Sequence, residues 1–395
     1  MKVKFLLFLL LPLLFGCAPK AALTPLGQPS FESYREETQA YLKNKRVFVT
    51  DDPAFELANN SPRQWRPQGK PPKGQPTRGI LLIHGLGDSP WSFTDLGPAL
   101  AKNGFLVRAI LLPGCGSNPQ DLIDVSVEDW RRVVSEQAGI LENLVDELYL
   151  GGFSNGASLA LEYAYQNPRV KGLLLLSPAI KSKVGVDFLA PLAAVFKDWI
   201  MVPRSGQPEK DAFRYRIVPT NAFAQFYYLS VSVRRLLRDR PFDRPVIMIL
   251  SESDSVLDIP FMVNAFEDGF TNPASRLIYY GKNRRNLPDR TYYRTDDLPE
   301  YRISSFSHMG AMFSPTNEFY GFDGQEPMCD NGQSDRAQKR CLAGDEIWYS
   351  AWGLWKPGKI HARLTFNPYF DWQFQVILEV LAGRPNPQDN LTSTQ

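Results

Sequence analysis

A serine between two glycines is the clearest chemical feature of the sequence. The segment GFSNG at residues 152–156 follows a short apolar run and precedes a helical pattern. A serine on a sharp turn from a strand into a helix is exposed for nucleophilic attack, and glycines two positions away on either side let strand and helix approach each other. A glycine-rich turn without chemistry is the alternative. The context favours Ser154 as a nucleophile.

A nucleophilic serine needs a base, and the chain has 3 histidines. His308 lies in a loop after the last strand pattern, where the chain order serine, acid, histidine places the base. His84, at the end of the first buried strand pattern, is the main alternative, although shaping a glycine-rich loop suits it better. His361 has no obvious partner in the sequence. We therefore predict His308 as the base.

The acid that orients the base should follow a strand between the serine and the histidine. Residues 246–250, VIMIL, have the pattern of that strand. Three carboxylates follow it, on Glu252, Asp254 and Asp258. Asp258 suits the N-cap of the next helix, and Glu252 lies close to the strand end. Asp254 is the predicted acid.

Acyl transfer also needs two backbone N–H groups that stabilise an oxyanion. One is expected from Asn155, the residue after the nucleophile. The other is expected from the loop HGLGD at residues 84–88, where the Leu86 N–H is the natural donor. An ordinary glycine-rich loop is the alternative. The GxSxG segment further along the chain favours the oxyanion hole.

The elements that must position these residues alternate along the chain. Apolar runs at 80–83, 105–111, 148–150, 170–176 and 246–250 predict buried strands. Helical patterns cover 31–42, 91–102, 127–144, 157–165 and 370–381. Strands that alternate with helices predict an α/β fold, with a mostly parallel sheet flanked by helices.

Two stretches of the predicted domain, residues 31–395, interrupt this alternation. Residues from about 180 to 240 are rich in apolar side chains without a strand pattern, and we predict a helical lid insertion there. Its apolar stripe at helical spacing consists of Phe188, Leu192, Val195, Phe196 and Trp199. Packing of this stripe into the core is the alternative. Residues from about 314 to 366 are predicted as a late irregular insertion.

Five segments in this order resemble the α/β-hydrolase superfamily, nearest to its monoacylglycerol lipase and carboxylesterase branch. They are IHGLG at 83–87, LPGCG at 112–116, GFSNG at 152–156, SDSV at 253–256 and SHMG at 307–310. The resemblance implies an α/β-hydrolase fold and a triad that cleaves carboxylic esters, such as acylglycerols, through an acyl-enzyme. Cys115 stands where relatives often have histidine, and residues 279–297 look inserted.

Other functions remain open on the same fold. A serine acyltransferase would pass the acyl group to an acceptor other than water, and a peptidase would cleave an amide. A non-catalytic binding protein would use the fold alone. We expect no metal and no organic cofactor, since the polar residues at 330–335 fit no calcium-loop spacing. A formal net charge of +2 without a long basic run gives no reason to expect a nucleic-acid partner.

The first residues have the features of an export signal. Lys2 and Lys4 precede an apolar run at 5–15, which is too short for a membrane span. The run ends in LFGC at 14–17, and this ending resembles a bacterial lipobox. An ordinary signal peptide with an incidental cysteine is the alternative.

The lipobox resemblance predicts how the N-terminus is processed. Residues 1–16 would form a lipoprotein signal peptide, Cys17 would be acylated and residues 17–30 would form a tether to the membrane. Ala18 follows the cysteine, and by resemblance to sorted lipoproteins this favours the outer membrane, facing the periplasm or the exterior.

Export to an oxidising compartment also favours a disulfide. Cys329 and Cys341 flank a polar stretch and are predicted to pair, with two unpaired thiols as the alternative. Cys115 lies in an apolar loop and is predicted to be a buried, inert thiol.

Overall fold

A mostly parallel β-sheet organises the part of the chain that the computed structural model describes, residues 26–69, 73–200, 210–284 and 286–382. The sheet strands of this part are β1 (Arg63–Trp65), β2 (Arg78–Ile83), β3 (Phe105–Ile110), β4 (Glu147–Phe153), β5 (Val170–Leu176), β6 (Val246–Ser251), β7 (Arg276–Gly281) and β8 (Thr291–Thr295). Their order across the sheet is β1-β3-β2-β4-β5-β6-β7-β8. β1 runs antiparallel to β3, whereas the other neighbouring strands run parallel.

Helices cover both faces of the sheet. They are α1 (Phe31–Lys45), α2 (Pro53–Asn60), α3 (Leu96–Lys102), α4 (Val127–Glu142), α5 (Asn155–Gln166), α6 (Ala190–Phe196), α7 (Thr220–Asp239), α8 (Ile259–Gly269), α9 (Asp335–Leu342) and α10 (Phe370–Ala382). Leu81 and Ile83 of β2 pack in a core with α4, α5 and α8, whereas Ile80 and Leu82 pack in a core with α3 and α10. The predicted fold class is confirmed.

Local sequence features explain where several elements begin. The Ser126 side chain accepts a hydrogen bond from the Asp129 N–H, and the Asp129 side chain accepts one from the Ser126 N–H, so a capping box starts α4. Asp258 caps α8 by accepting from the Phe261 N–H. These polar residues satisfy helix donors that would otherwise lack partners.

The sequence patterns missed several elements. Residues 279–297, which looked inserted, contain the end of β7 and all of β8, so this stretch adds an edge strand to the sheet. The helix expected over 91–102 is divided into a 3₁₀ turn, Pro90–Phe93, and α3. The proline-rich segment after residue 59 contains the short edge strand β1.

The region from about 180 to 240 is helical, as predicted, and contains α6 and α7. The alternative, that the apolar stripe packs into the core, is wrong for four of its five residues. Phe188, Leu192, Val195 and Phe196 are exposed, Phe196 to 81%. The insertion therefore presents an apolar surface around α6 and does not bury it on the sheet.

The late insertion from about 314 to 366 is more ordered than its sequence suggests. It contains α9 and a two-stranded parallel sheet formed by β9 (Ile347–Ser350) and β10 (Ile360–Arg363). Cys329 and Cys341 are joined by a disulfide, as predicted. Cys115 is a buried free cysteine, and burial raises the pKa of its thiol to about 12. A thiol with this pKa is unreactive at neutral pH.

The predicted signal peptide at 1–16 and the lipidation residue Cys17 lie outside the described residues, together with part of the tether. None of the described helices is long and apolar enough to span a membrane. Across the same residues, no group of three or more histidine, cysteine, aspartate or glutamate side chains could hold a metal ion.

Candidate active site

Ser154 occupies a strained turn between β4 and α5. Its backbone has φ 53° and ψ −116°, a combination that costs free energy in a non-glycine residue. The Ser154 N–H donates to the Leu176 carbonyl at the end of β5, which holds the turn in place (2.9 Å). The turn exposes the side chain at the carboxyl end of the parallel strands.

The two glycines flanking the serine are required by space. A Cβ atom on Gly152 would lie 2.4 Å from the Gly156 carbonyl carbon, and one on Gly156 would lie 2.0 Å from the Ile83 carbonyl oxygen. Both distances are far below van der Waals contact with backbone atoms that cannot move. Only glycine therefore lets α5 begin so close to β2 and β4.

His308 lies between Ser154 and Asp254. Its Nε2 is 2.9 Å from the Ser154 Oγ, and its Nδ1 is 2.6 Å from the Asp254 Oδ2. With the proton on Nδ1, the ring donates to the carboxylate, and Nε2 accepts from the serine hydroxyl. A serine with this partner can lose its proton as it attacks a carbonyl carbon.

The structure separates the three candidate acids. The Asp254 carboxylate is buried, and its Oδ1 accepts from the Val256 and Leu257 N–H groups, so Oδ2 faces His308. Glu252 instead accepts from the Lys282 and Asn283 backbone N–H groups. Asp258 caps α8 and pairs with Lys181. Of the three, Asp254 alone contacts the histidine.

The two other histidines have structural partners at both ring nitrogens. His84 Nε2 accepts from the Leu112 N–H (3.0 Å), so its Nδ1 donates to the Gly85 carbonyl (2.7 Å). Burial lowers the pKa of His84, which keeps this ring neutral. His361 Nε2 accepts from the Lys356 N–H, and burial lowers its pKa to about 4.

Part of the chain is similar to known proteins. Residues 74–216 match the family described as serine aminopeptidase, S33. The chain has the α/β-hydrolase fold. A thermostable monoacylglycerol lipase from Bacillus sp. (strain H-257) is 26% identical over 190 residues, which cover 45% of this chain and 71% of that protein.

Other similarities cover less of the chain or are weaker. An uncharacterized protein from Mycobacterium tuberculosis is 29% identical over 116 residues, or 29% of this chain and 33% of that protein. A solved soluble variant of monoglyceride lipase from Saccharomyces cerevisiae is 17% identical, with a TM-score of 0.43, and the match covers 59% of this chain and 85% of that one.

The loop that carries Leu86 passes beside Ser154. A Cβ atom built on Gly85 would lie 3.5 Å from the Ser154 Cβ. Among the described residues, the Leu86 and Asn155 N–H groups have no hydrogen-bond acceptor. Both predicted donors therefore remain free to bind an oxygen of a ligand.

Two contacts that position loops of the candidate site were missed by the sequence analysis. The Ser177 hydroxyl donates to the His308 carbonyl (3.0 Å), which holds the histidine loop. The Tyr215 N–H donates to the Gly87 carbonyl (2.6 Å), which holds the loop at 84–88. No local pattern could identify them, because each contact joins segments more than a hundred residues apart in sequence.

Proposed function

We propose that this protein hydrolyses carboxylic esters with Ser154 as the nucleophile, His308 as the general base and Asp254 as the orienting acid. The continuous set of hydrogen bonds from Asp254 through His308 to the serine hydroxyl carries this proposal. Asp254 fixes the imidazole tautomer and stabilises the positive charge that His308 gains during the reaction.

The reaction runs in two halves. The Ser154 Oγ attacks the ester carbonyl as His308 removes its proton, and the Leu86 and Asn155 N–H groups bind the oxyanion. His308 then protonates the departing alcohol and leaves an acyl group on the serine. In the second half, His308 removes a proton from water, which attacks the acyl-enzyme and releases the acid.

The substrate we propose is an acylglycerol or another lipid-like ester. The apolar surface of the insertion around α6 supports an apolar acyl chain, since hydrolase sites grip such chains with apolar walls. The similarity to a protein named a thermostable monoacylglycerol lipase points to the same class of ester.

Replacement of the nucleophile tests the proposal. We expect Ser154→Ala to abolish hydrolysis of p-nitrophenyl butyrate and labelling by a fluorophosphonate probe, because no other group supplies the attacking oxygen. Ser158→Ala is the matched control: Ser158 is a buried serine on α5 whose hydroxyl has no described hydrogen-bond partner. Near wild-type turnover by Ser154→Ala would refute the assignment.

Two other reactions could use the same residues. The family match carries a peptidase description, which makes an amide substrate the second candidate. A comparison of aminoacyl p-nitroanilides with p-nitrophenyl esters separates these activities. An acyltransferase would be recognised by acyl transfer to an added alcohol or lysolipid. A non-catalytic binding protein would leave the probe unattached.

We also propose that the protein is anchored through acylated Cys17 in a bacterial envelope, in the outer membrane. The lipobox-like sequence ending at Cys17 supports this location. Mass spectrometry of the mature N-terminus should find a diacylglyceryl cysteine, and Cys17→Ser should abolish that modification. A mature chain that starts at Ala18 or retains Met1 would rule out the anchor.

A further inference from the structure

Residues 210–218, within the insertion from about 180 to 240, contact two loops of the proposed catalytic centre. Phe213 is buried and stacks on Trp91, with ring centroids 4.1 Å apart. The Tyr215 N–H donates to the carbonyl of Gly87, the residue that follows Leu86. The segment is therefore anchored on both sides of Arg214 and holds this residue in a defined place.

The Arg214 side chain reaches the other loop. Its Nη1 donates to the sulfur of Met309, the residue that follows His308. The Met309 N–H donates to the Ser307 hydroxyl (3.0 Å), so the backbone that presents this sulfur is itself held. Arg214 therefore contacts Met309, next to His308, while its neighbour Tyr215 contacts the loop that carries Leu86.

The guanidinium of Arg214 forms no ion pair with a carboxylate among the described residues, although its charge opposes the rise that burial causes in the pKa of Asp211. A thioether sulfur is a weak acceptor, whereas an arginine presents five N–H donors. Asp211 is close in sequence, but its Oδ1 accepts from the Phe213 and Arg214 backbone N–H groups and its Oδ2 from the Tyr320 hydroxyl. The Asp211 carboxylate is therefore hydrogen-bonded to other donors and not to the Arg214 side chain.

A second arginine adds positive potential at Arg214. Arg363 lies close enough for the two charges to repel each other; burial, and then the charge of Arg214, lowers the pKa of Arg363 to about 10. Arg363 is therefore charged at neutral pH. Arg216, in contrast, has a carboxylate partner, with its Nη2 3.6 Å from the Glu326 Oε2. Arg214 is partly exposed and can bind an anion from solvent.

We propose that Arg214 is a specificity-determining residue that binds a carboxylate or phosphate group carried by the ester substrate. This inference rests on the proposed ester hydrolysis and narrows its substrate class to anionic esters. A scissile carbonyl held between Leu86 and His308 places its substituents beside the two loops that Arg214 connects. A guanidinium there binds a planar or tetrahedral oxyanion through two parallel hydrogen bonds.

Two matched substrate pairs test the inference and locate the charge. Mono-p-nitrophenyl glutarate is compared with p-nitrophenyl valerate for an anionic acyl group. Lauroyl lysophosphatidate is compared with monolauroylglycerol for an anionic alcohol group. In at least one pair, wild-type protein should have the higher kcat/KM for the anionic ester, and Arg214→Gln should lower the anionic-to-neutral ratio about tenfold, mainly through KM.

Two further variants exclude a purely structural explanation. Arg214→Lys keeps the charge but loses the planar fork, so it should give an intermediate ratio. Arg216→Gln removes a nearby arginine that is already paired and should leave the ratio at its wild-type value. Fluorophosphonate labelling of each variant verifies that the nucleophile is intact. If Arg214→Gln does not fold, the lysine variant and the loss of the wild-type ratio in high salt decide the question.

The possible failures are distinct. If Arg214→Gln keeps the wild-type ratio of anionic to neutral kcat/KM while Ser154 still cleaves the neutral esters, the anion site is refuted. The proposed ester hydrolysis is then unaffected. Preference for the neutral member of both pairs would overturn it as well. A wild-type protein that cleaves none of the four esters and takes no probe would refute the proposed function and the anion site together.

Discussion

The three side chains of the proposed catalytic centre come from three separate loops, and contacts outside the centre hold each loop. Ser154 is fixed by the β4–α5 turn, Asp254 by the Val256 and Leu257 N–H groups, and His308 by the Ser177 hydroxyl. Because each group is held before substrate arrives, little reorganisation is needed when the serine attacks.

At this scale we predict that Asp254→Asn lowers kcat about 10³- to 10⁴-fold on p-nitrophenyl butyrate. The amide cannot stabilise the imidazolium, and its N–H favours the wrong tautomer of His308. Steady-state kinetics on folded variants measures the loss. Glu252→Gln is the control, since Glu252 accepts only from the 282–283 segment and should change kcat little. A larger loss in the Glu252 variant would reverse the assignment.

At the scale of elements, the insertion combines a buried and an exposed part. Segment 210–218 packs against the oxyanion loop, where a Cβ atom on Gly87 would lie 2.9 Å from the Val218 Cγ1. The α6 part, in contrast, leaves Val195 75% and Phe196 81% exposed. Apolar side chains this exposed contribute little to stability, so their substitution tests function without a large folding defect.

We therefore predict that Phe196→Asp lowers activity on p-nitrophenyl octanoate more than on p-nitrophenyl acetate. Only the longer chain needs an apolar wall, which contributes about 0.8 kcal/mol for each buried methylene. Leu342→Asp is the control, because Leu342 on α9 is 62% exposed and lies outside the insertion. Equal loss on both esters would indicate a folding defect. No loss on either would remove α6 from the acyl site.

At the scale of the whole molecule, the late insertion supports the histidine loop from one side. The Ser304 N–H donates to the Tyr349 carbonyl, and the Ser307 hydroxyl donates to the Leu364 carbonyl. The disulfide between Cys329 and Cys341 closes a short loop within this insertion. Loss of order in the insertion should therefore reach His308 through Ser307.

The double variant Cys329→Ser, Cys341→Ser should have a free energy of unfolding about 3 kcal/mol lower than the wild type, because the unfolded chain regains the conformational entropy that a disulfide across a loop of this length removes. Urea denaturation measures the change, and the ester assay should show reduced kcat if the histidine loop loosens. Dithiothreitol should lower the stability of the wild type and leave the double variant unchanged. Equal stability of the wild type and the double variant in the absence of dithiothreitol would contradict the prediction.

The sequence alone predicted the elements whose information is local. Residues 80–83 and 246–250 are continuous apolar runs, and both form buried central strands. Ser126 and Asp258 cap the helices that follow them, since capping depends on residues only a few positions apart. The GFSNG turn is partly local, because Gly152 makes room for Gly156 within one strand–turn–helix unit, whereas Gly156 makes room for the backbone of β2.

Tertiary structure decided everything that depends on distant partners. It selected Asp254 over Glu252 and Asp258, since three carboxylates within seven residues differ only in which loops they face. It placed Thr291–Thr295 in the sheet beside Arg276–Gly281 and left Phe196 exposed. Periodicity could not predict either outcome, because it does not show which strands pair or what covers a surface. It also brought Arg214 to Met309, 95 residues further along the chain, a contact that only packing determines.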